Sequence, residues 1–226
     1  MSNYHSNNIS ILADENLHEK VFEQFLKFSP PKNVRIGILA SGNGALDQRL
    51  IDHGFTNIKS WDLVNQNLSE VNEFELRDLN MDFEDFGIFY YVFAIEIIEH
   101  INNTHHFLAS IKKLLNPNGK AIISTPHLEQ IGSRFYSLLK NDIPMFNQGM
   151  LEKSGHINPN FHHIFLFHLK KLNLTLVERN FNRENHSQND YKLSSWKKKI
   201  FLKLIVLCTK FLPGKNGHIS IYSISN

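Results

Sequence analysis

Cysteine is almost absent from this chain: Cys208 is the only one in 226 residues. No intrachain disulfide can form, which fits a reducing compartment. Long hydrophobic runs are missing as well. The greasiest segment, Ile200 to Leu212, is interrupted by Lys203 and Lys210. It is too short for a bilayer span, which takes about 20 mostly apolar residues. Charge of one sign is not in excess either, with 24 basic against 22 acidic residues and a formal net charge of +2. Bulk electrostatics therefore give no reason to expect a nucleic-acid partner. The opening stretch, MSNYHSNN, lacks the charged-then-apolar order of a secretory signal. The expectation is a soluble, cytoplasmic protein. With 42% hydrophobic and 20% charged residues, the composition is that of a globular chain long enough to bury a full core.

What is present alternates. Leu17 to Lys27 has Phe22, Phe25 and Leu26 at helical spacing and is closed by Pro30-Pro31. Val34 to Ala40 reads as a strand, then SGNG, then the helical pattern ALDQRLIDHG. Ile58 to Trp61 is a second strand ending at Asp62, and Phe74 to Leu76 a third, followed by Asp78. Phe89 to Ile95 is nearly all apolar, as a strand buried on both faces should be. THHFLASIKKLL is an amphipathic helix stopped by NPNG, and Lys120 to Ser124 is the next strand. An irregular stretch follows, then a helix over His163 to Leu172, a strand over Leu174 to Val177, a basic helix over about 194–212, and a terminal strand from His218 to Ser225. The expected fold is a single α/β domain, a Rossmann-like three-layer sandwich whose seven-stranded sheet is mostly parallel with an antiparallel last strand. Ligands of such sheets bind beyond the carboxyl ends of the strands, where the strand order switches.

Gly42-Asn43-Gly44 opens a helix directly after the first strand. Glycines there admit a ligand close to the backbone, and the helix start favours negative charge. Asp62 lies at the offset where an acid receives hydrogen bonds from a ribose, although a turn or cap residue looks the same. Two features are missing. No Lys-Ser/Thr pair follows the glycines, so there is no P-loop, and Ala45-Leu46-Asp47 replaces the third glycine of a dinucleotide turn. A nucleoside without phosphates suits these turns better. After the fourth strand comes EIIEH, Glu96 to His100. If Glu96 starts a helix, Glu99 and His100 share its face, and acids in a first turn are favoured by the dipole alone.

The ordered pieces ILASGNGAL, Asp62, LRDLNMDF, EIIEHINN, LLNPNGKAIISTPH and GHINP resemble class I S-adenosylmethionine (SAM) dependent methyltransferases, from about Val34 to Phe181. The branch resembled includes ubiquinone-pathway and glycan-cluster O-methyltransferases. The resemblance implies SAM as cofactor. Ala40, Gly42 and Gly44 would lie against its methionine part, Asp62 and Leu63 at the ribose, Asp78 and Leu79 at the adenine, and Ile95 and Glu96 near the sulfonium. It departs from the family where Ile38 stands for an acid, Ala40 for the first glycine, and Tyr90 for an aspartate. The small-RNA 3′-terminal 2′-O-methyltransferases use a similar Glu-x-x-Glu-His and a later histidine to hold a divalent ion. On that likeness Glu96, Glu99, His100 and His156 form a candidate set for Mg²⁺ or Mn²⁺, with zinc as a further fit. Without a metal, His100 or His156 would be the general base for a hydroxyl acceptor.

The segment of about 127–162, with His127, Arg134, Tyr136, Phe146 and His156, falls where an acceptor lid is expected. Phe135, Leu138 and Leu139 have helix-core spacing, and His162, His163 and His168 read as surface or satisfied core residues. The basic helix would suit an anionic membrane surface, or a stripe packed on its own domain with snorkelling lysines. The resemblance implies a SAM-dependent O-methyltransferase acting on a sugar hydroxyl or another small hydroxylated metabolite, and the lack of a dense basic stripe disfavours nucleic acid. The departures at Ile38 and Ala40 motivate the alternative of a catalytically degenerate partner subunit.

Overall fold

In a computed structural model, residues 9–183 and 217–226 are described. The basic segment of about 194–212 and Cys208 lie outside them. The order is α1 (Leu17–Leu26), β1 (Ile36–Leu39), α2 (Ala45–Asp52), β2 (Ile58–Asp62), β3 (Glu73–Leu76), β4 (Phe89–Ala94), α3 (Thr104–Leu114), β5 (Leu115–Pro126), α4 (Ile131–Lys140), α5 (Gln148–Ser154), α6 (His162–Lys171), β6 (Thr175–Phe181) and β7 (Ile219–Ser225). The seven strands run in the order β3-β2-β1-β4-β5-β7-β6. β7 is antiparallel to both neighbours and the other pairings are parallel.

Strand periodicity divides the core. Along β4, Tyr91 and Phe93 point to one face, against Phe25 of α1 and Leu46 and Leu50 of α2. Val92 and Ala94 point to the other, against Phe107, Leu108 and Ile111 of α3 and Phe165 and Leu169 of α6. Central parallel strands must be covered on both faces, which is why β1 and β4 carry nearly unbroken apolar runs. The strand order reverses between β1 and β4, so their carboxyl ends border the crevice of this fold.

Three local expectations are revised. The irregular stretch after β5 holds two helices, α4 and α5. In α4, Leu138 and Leu139 are 78% and 59% exposed, so their spacing does not mark a core face. EIIEH does not begin an α-helix: Glu96 has φ +51° and Ile98–His100 is a single 3₁₀ turn. β5 begins at Leu115 rather than Lys120, carrying Asn116–Gly119 past a register shift opposite β4.

Candidate active site

The turn after β1 is left-handed at alternate residues, with φ +58° at Ala40, +58° at Gly42 and +83° at Gly44. Glycine adopts this region freely, whereas alanine does so at a cost of order 1 kcal/mol or more. The two glycines differ in surroundings. A Cβ on Gly42 would meet nothing within 4 Å, whereas one on Gly44 would come 2.2 Å from Asn67 Oδ1. The segment after β2 therefore covers Gly44. It is anchored there by Asn67 Nδ2 donating to Ser41 Oγ at 3.1 Å and Leu68 N–H donating to the Asn43 carbonyl at 3.0 Å.

Asp62 ties these turns together. Its carboxylate accepts the Gly42 N–H at 2.7 Å and the Val64 N–H at 3.2 Å. Leu63 is exposed. Asp78 accepts from Asn80 N–H at 2.9 Å in an exposed turn. Leu79 is buried in the core beside Trp61 and Phe83.

A cavity of about 470 Å³ opens at the carboxyl ends of β1 and β4, within the range of small-molecule sites. Ala40 and Gly42 from the first turn, and Ile95, Glu96, Glu99 and His100 from beyond β4, line it together with His156. Gly44, Asp62, Leu63, Asp78 and Leu79 lie outside its lining. The segment of about 127–162 contributes Met145, Met150 and Ser154 besides His156. Its other expected acceptor residues do not converge on this cavity. His127 is 4% exposed, with its ring Nδ1 2.9 Å from the Gly217 carbonyl, and it lines a separate pocket with Tyr136. Of the later histidines, His162 Nδ1 lies 3.3 Å from the Tyr222 hydroxyl, and His168 Nδ1 lies 3.2 Å from His105 Nδ1.

Glu99, His100 and His156 form the tightest polar group. One ligand atom from each lies within 4.8 Å of the others. That is slightly wider than the ~4.2 Å between opposite ligands each ~2.1 Å from an ion. Glu99 is 1% exposed and neither of its carboxyl oxygens has a partner in hydrogen-bonding geometry. The Thr125 hydroxyl, equally without a partner at bonding geometry, is close enough to favour the carboxylate slightly. Burial, reinforced by the Glu96 charge, still holds the Glu99 carboxyl well above its ordinary range. Nδ1 of His100 lies 3.2 Å from the Gly155 carbonyl, and Nδ1 of His156 lies 2.9 Å from the Met145 carbonyl. A proton on each Nδ1 leaves each Nε2 as the basic atom. Burial lowers the His100 pKa, and the neighbouring His156 adds to this. The turn is fixed by Ile157 and Asn158, whose N–H groups both donate to the Glu99 carbonyl at 3.0 Å.

A divalent ion fits these donors, because it would neutralise an orphaned buried carboxyl and meet two imidazoles already aligned by carbonyls. Glu96 is not in the group. One carboxylate with two imidazoles shifts the preference away from Mg²⁺ and towards Mn²⁺ or Zn²⁺.

The sequence reading missed the wall opposite. Leu12, Ala13, Asp14 and His18 line the cavity from the segment before and within α1, and His218 from the start of the last strand. Asp14 binds Arg183 at 3.1 Å, Asn182 at 2.9 Å and His218 at 3.5 Å. Burial alone would raise the Asp14 carboxyl, but His218 and Arg183 hold it well below the carboxylate range. His18 is pushed down to about 4 by burial and by the Arg49 charge. Glu96 accepts the Asp14 N–H at 3.3 Å and donates its own N–H to Ser124 Oγ at 2.9 Å. Its carboxyl is raised to about 7 by burial, which the Asp14 N–H opposes and the Asp14 charge reinforces. In sequence, Asp14 looks like an ordinary helix-start residue. Nothing local could place it beside residues 182, 183 and 218.

A family model described as "Methyltransferase domain" matches residues 14–186. No curated protein matches the chain. Among solved structures, a SAM-dependent methyltransferase from Archaeoglobus fulgidus is similar with TM-score 0.62 and 12% identity, covering 92% of this chain and 94% of that one. One from Mesorhizobium loti gives TM-score 0.57 at 12% identity, covering 91% and 98%. The magnesium protoporphyrin IX methyltransferase from Synechocystis, solved with bound S-adenosylhomocysteine (SAH), gives 0.60 at 12%, covering 92% and 82%. At these identities the likeness is one of fold.

Proposed function

The chain belongs to the methyltransferase-domain family, and from that premise we propose that it methylates a hydroxyl group of a small acceptor with SAM as donor. The observation that carries this reading is the single cavity joining the Ala40–Asn43 turn, Glu96 and the His100–His156 pair. A sugar hydroxyl is the acceptor class that the sequence resemblance suggests. SAM, when bound, supplies an electrophilic methyl group on sulfonium sulfur.

The chain's own part is alignment and proton removal. The open face of Gly42 admits the donor against the backbone, while Asp62 holds that turn rigid through the Gly42 N–H. Met145, Met150 and Ser154 line the cavity beside His156, on the side proposed for the acceptor. A neutral hydroxyl is a weak nucleophile. The Nε2 of His100 or His156, kept basic by the carbonyl at its Nδ1, takes the proton as the oxygen attacks. A divalent ion on Glu99, His100 and His156 would instead polarise the acceptor oxygen and lower its pKa. The two versions separate in a chelator titration, which removes activity only if the ion is used.

A second reading, a partner subunit without catalysis, is favoured by Ile38 in the cavity wall and by the strained Ala40. Calorimetry with SAM and SAH decides between them. Binding of either supports the enzyme, and binding of neither supports the subunit.

A further inference from the structure

The cavity has three acids, and two are already accounted for. The Asp14 carboxylate is paired with Arg183 and His218. Glu99 belongs to the group formed with His100 and His156. Glu96 is left. Among the described residues no cation pairs with its carboxylate, whose one hydrogen bond comes from the Asp14 N–H at 3.3 Å.

Its backbone is unusual as well. Glu96 sits at φ +51°, a left-handed conformation that a residue with a side chain adopts at a cost. The conformation is held from two sides, by Ser124 Oγ on the Glu96 N–H and by Asp14 on the carboxylate. The result is a carboxylate fixed at the cavity wall immediately beyond β4. The adjacent wall from β1 offers only Ile38, Leu39 and Ala40. A cationic group arriving along the glycine turn finds no anion on β1 and meets Glu96 from the neighbouring strand.

The geometry points to Glu96 as the anion that holds the α-ammonium group of the donor's amino-acid end, an assignment that rests on the donor reading above. A primary ammonium brings three N–H donors to a carboxylate, whereas a sulfonium brings none. Glu96 is thus a positioning residue for the donor, distinct from the Glu99–His100–His156 group.

The test is calorimetric, in buffer with EDTA. The ligands are SAM, SAH and the deaminated analogue of SAH, which keeps the carboxylate and lacks the amino group. Glu96→Gln should weaken SAH binding roughly 10- to 100-fold, the worth of a charge-assisted hydrogen bond. Its affinity for the deaminated analogue should stay within about twofold of wild type on the same scale. Equal losses for SAH and the analogue, or no loss for either, overturn the assignment. Loss of the preference for SAM over SAH, with the analogue behaving like SAH, would move Glu96 to the sulfonium and overturn it too. A Glu96→Gln effect seen only without EDTA would make Glu96 a metal ligand, with the same consequence. If Glu96→Gln does not fold, Glu96→Asp keeps the charge with a shorter reach and should show a smaller loss confined to ligands with the amino group. Failure of the wild type to bind SAH at all would instead sink the donor reading itself, and this assignment with it.

Discussion

Mn²⁺ should stabilise the wild-type protein, and replacing Glu99 by Gln should abolish that effect. The reasoning starts from a carboxyl that is 1% exposed and has neither oxygen in hydrogen-bonding geometry with a partner. An ion at this point would be held by the Glu99 carboxylate and the His100 and His156 imidazoles, a grouping the unfolded chain does not offer. Free ion at 100 times its dissociation constant adds about 2.7 kcal/mol. For a chain of 226 residues, each kcal/mol moves the melting temperature by about 2–4 °C, so the shift is about 5–10 °C. Glu99→Gln keeps the shape and removes the ligand charge. Without ion it should melt no lower than wild type, because it no longer buries an ionisable group that burial has pushed up. The assay is a thermal melt against Mn²⁺, Zn²⁺ and Mg²⁺, with EDTA as baseline. No shift with any of the three refutes the metal version, and an undiminished shift in Glu99→Gln places the ion elsewhere.

Three further outcomes follow from the same geometry. Replacing His100 and His156 singly by Ala should lower kcat by about 10²- to 10⁴-fold for whichever is the base; steady-state rates within about twofold of wild type in both would remove the imidazole mechanism. His127 is held at about 4 against an ordinary 6.5, so the unfolded chain takes up its proton first. Its contribution, about 3 kcal/mol, is present above pH 6.5 and lost as pH falls towards 4, and denaturant melts of His127→Gln should lack that slope. Asp47 is raised to about 6 from 3.8 by burial, although Ser60 and Asn67 donate hydrogen bonds to it. Its sign is opposite: stability falls as pH rises from about 4 to 6, and Asp47→Asn should flatten that part of the profile by up to about 3 kcal/mol.

The alternation of strands and helices was legible because each element is long or strongly patterned, as β4 and α3 are. The residues at the ends of β1 and β4 were legible because a parallel sheet puts its crevice there whatever the ligand. Asp62 was found as a chemical candidate, but its role as a clamp on Gly42 depends on a contact between two turns that no spacing reveals. The helical spacing of Phe135, Leu138 and Leu139 was visible in α4 but pointed to a core face that exposed Leu138 and Leu139 do not form, and α5 buries no residue that could mark it in the sequence. EIIEH misled because acids and an imidazole at helical spacing look the same in a 3₁₀ turn entered through a left-handed glutamate. The Asp14–Arg183–His218 wall was out of reach because it joins the start of the chain to the last two strands. No helix among the described residues is long and apolar enough to cross a membrane.

Titration of the purified wild type and of Gly42→Val with SAH measures whether the hollow beyond β1 and β4 is a donor pocket. Wild type should bind one molecule. Gly42→Val should bind none, because the new side chain projects into the open space beside Gly42 and a β-branched residue strains the turn at φ +58°; circular dichroism checks that the fold survives. A folded wild type that takes up no SAH, or a folded Gly42→Val that binds it as tightly as wild type, would contradict a donor site there.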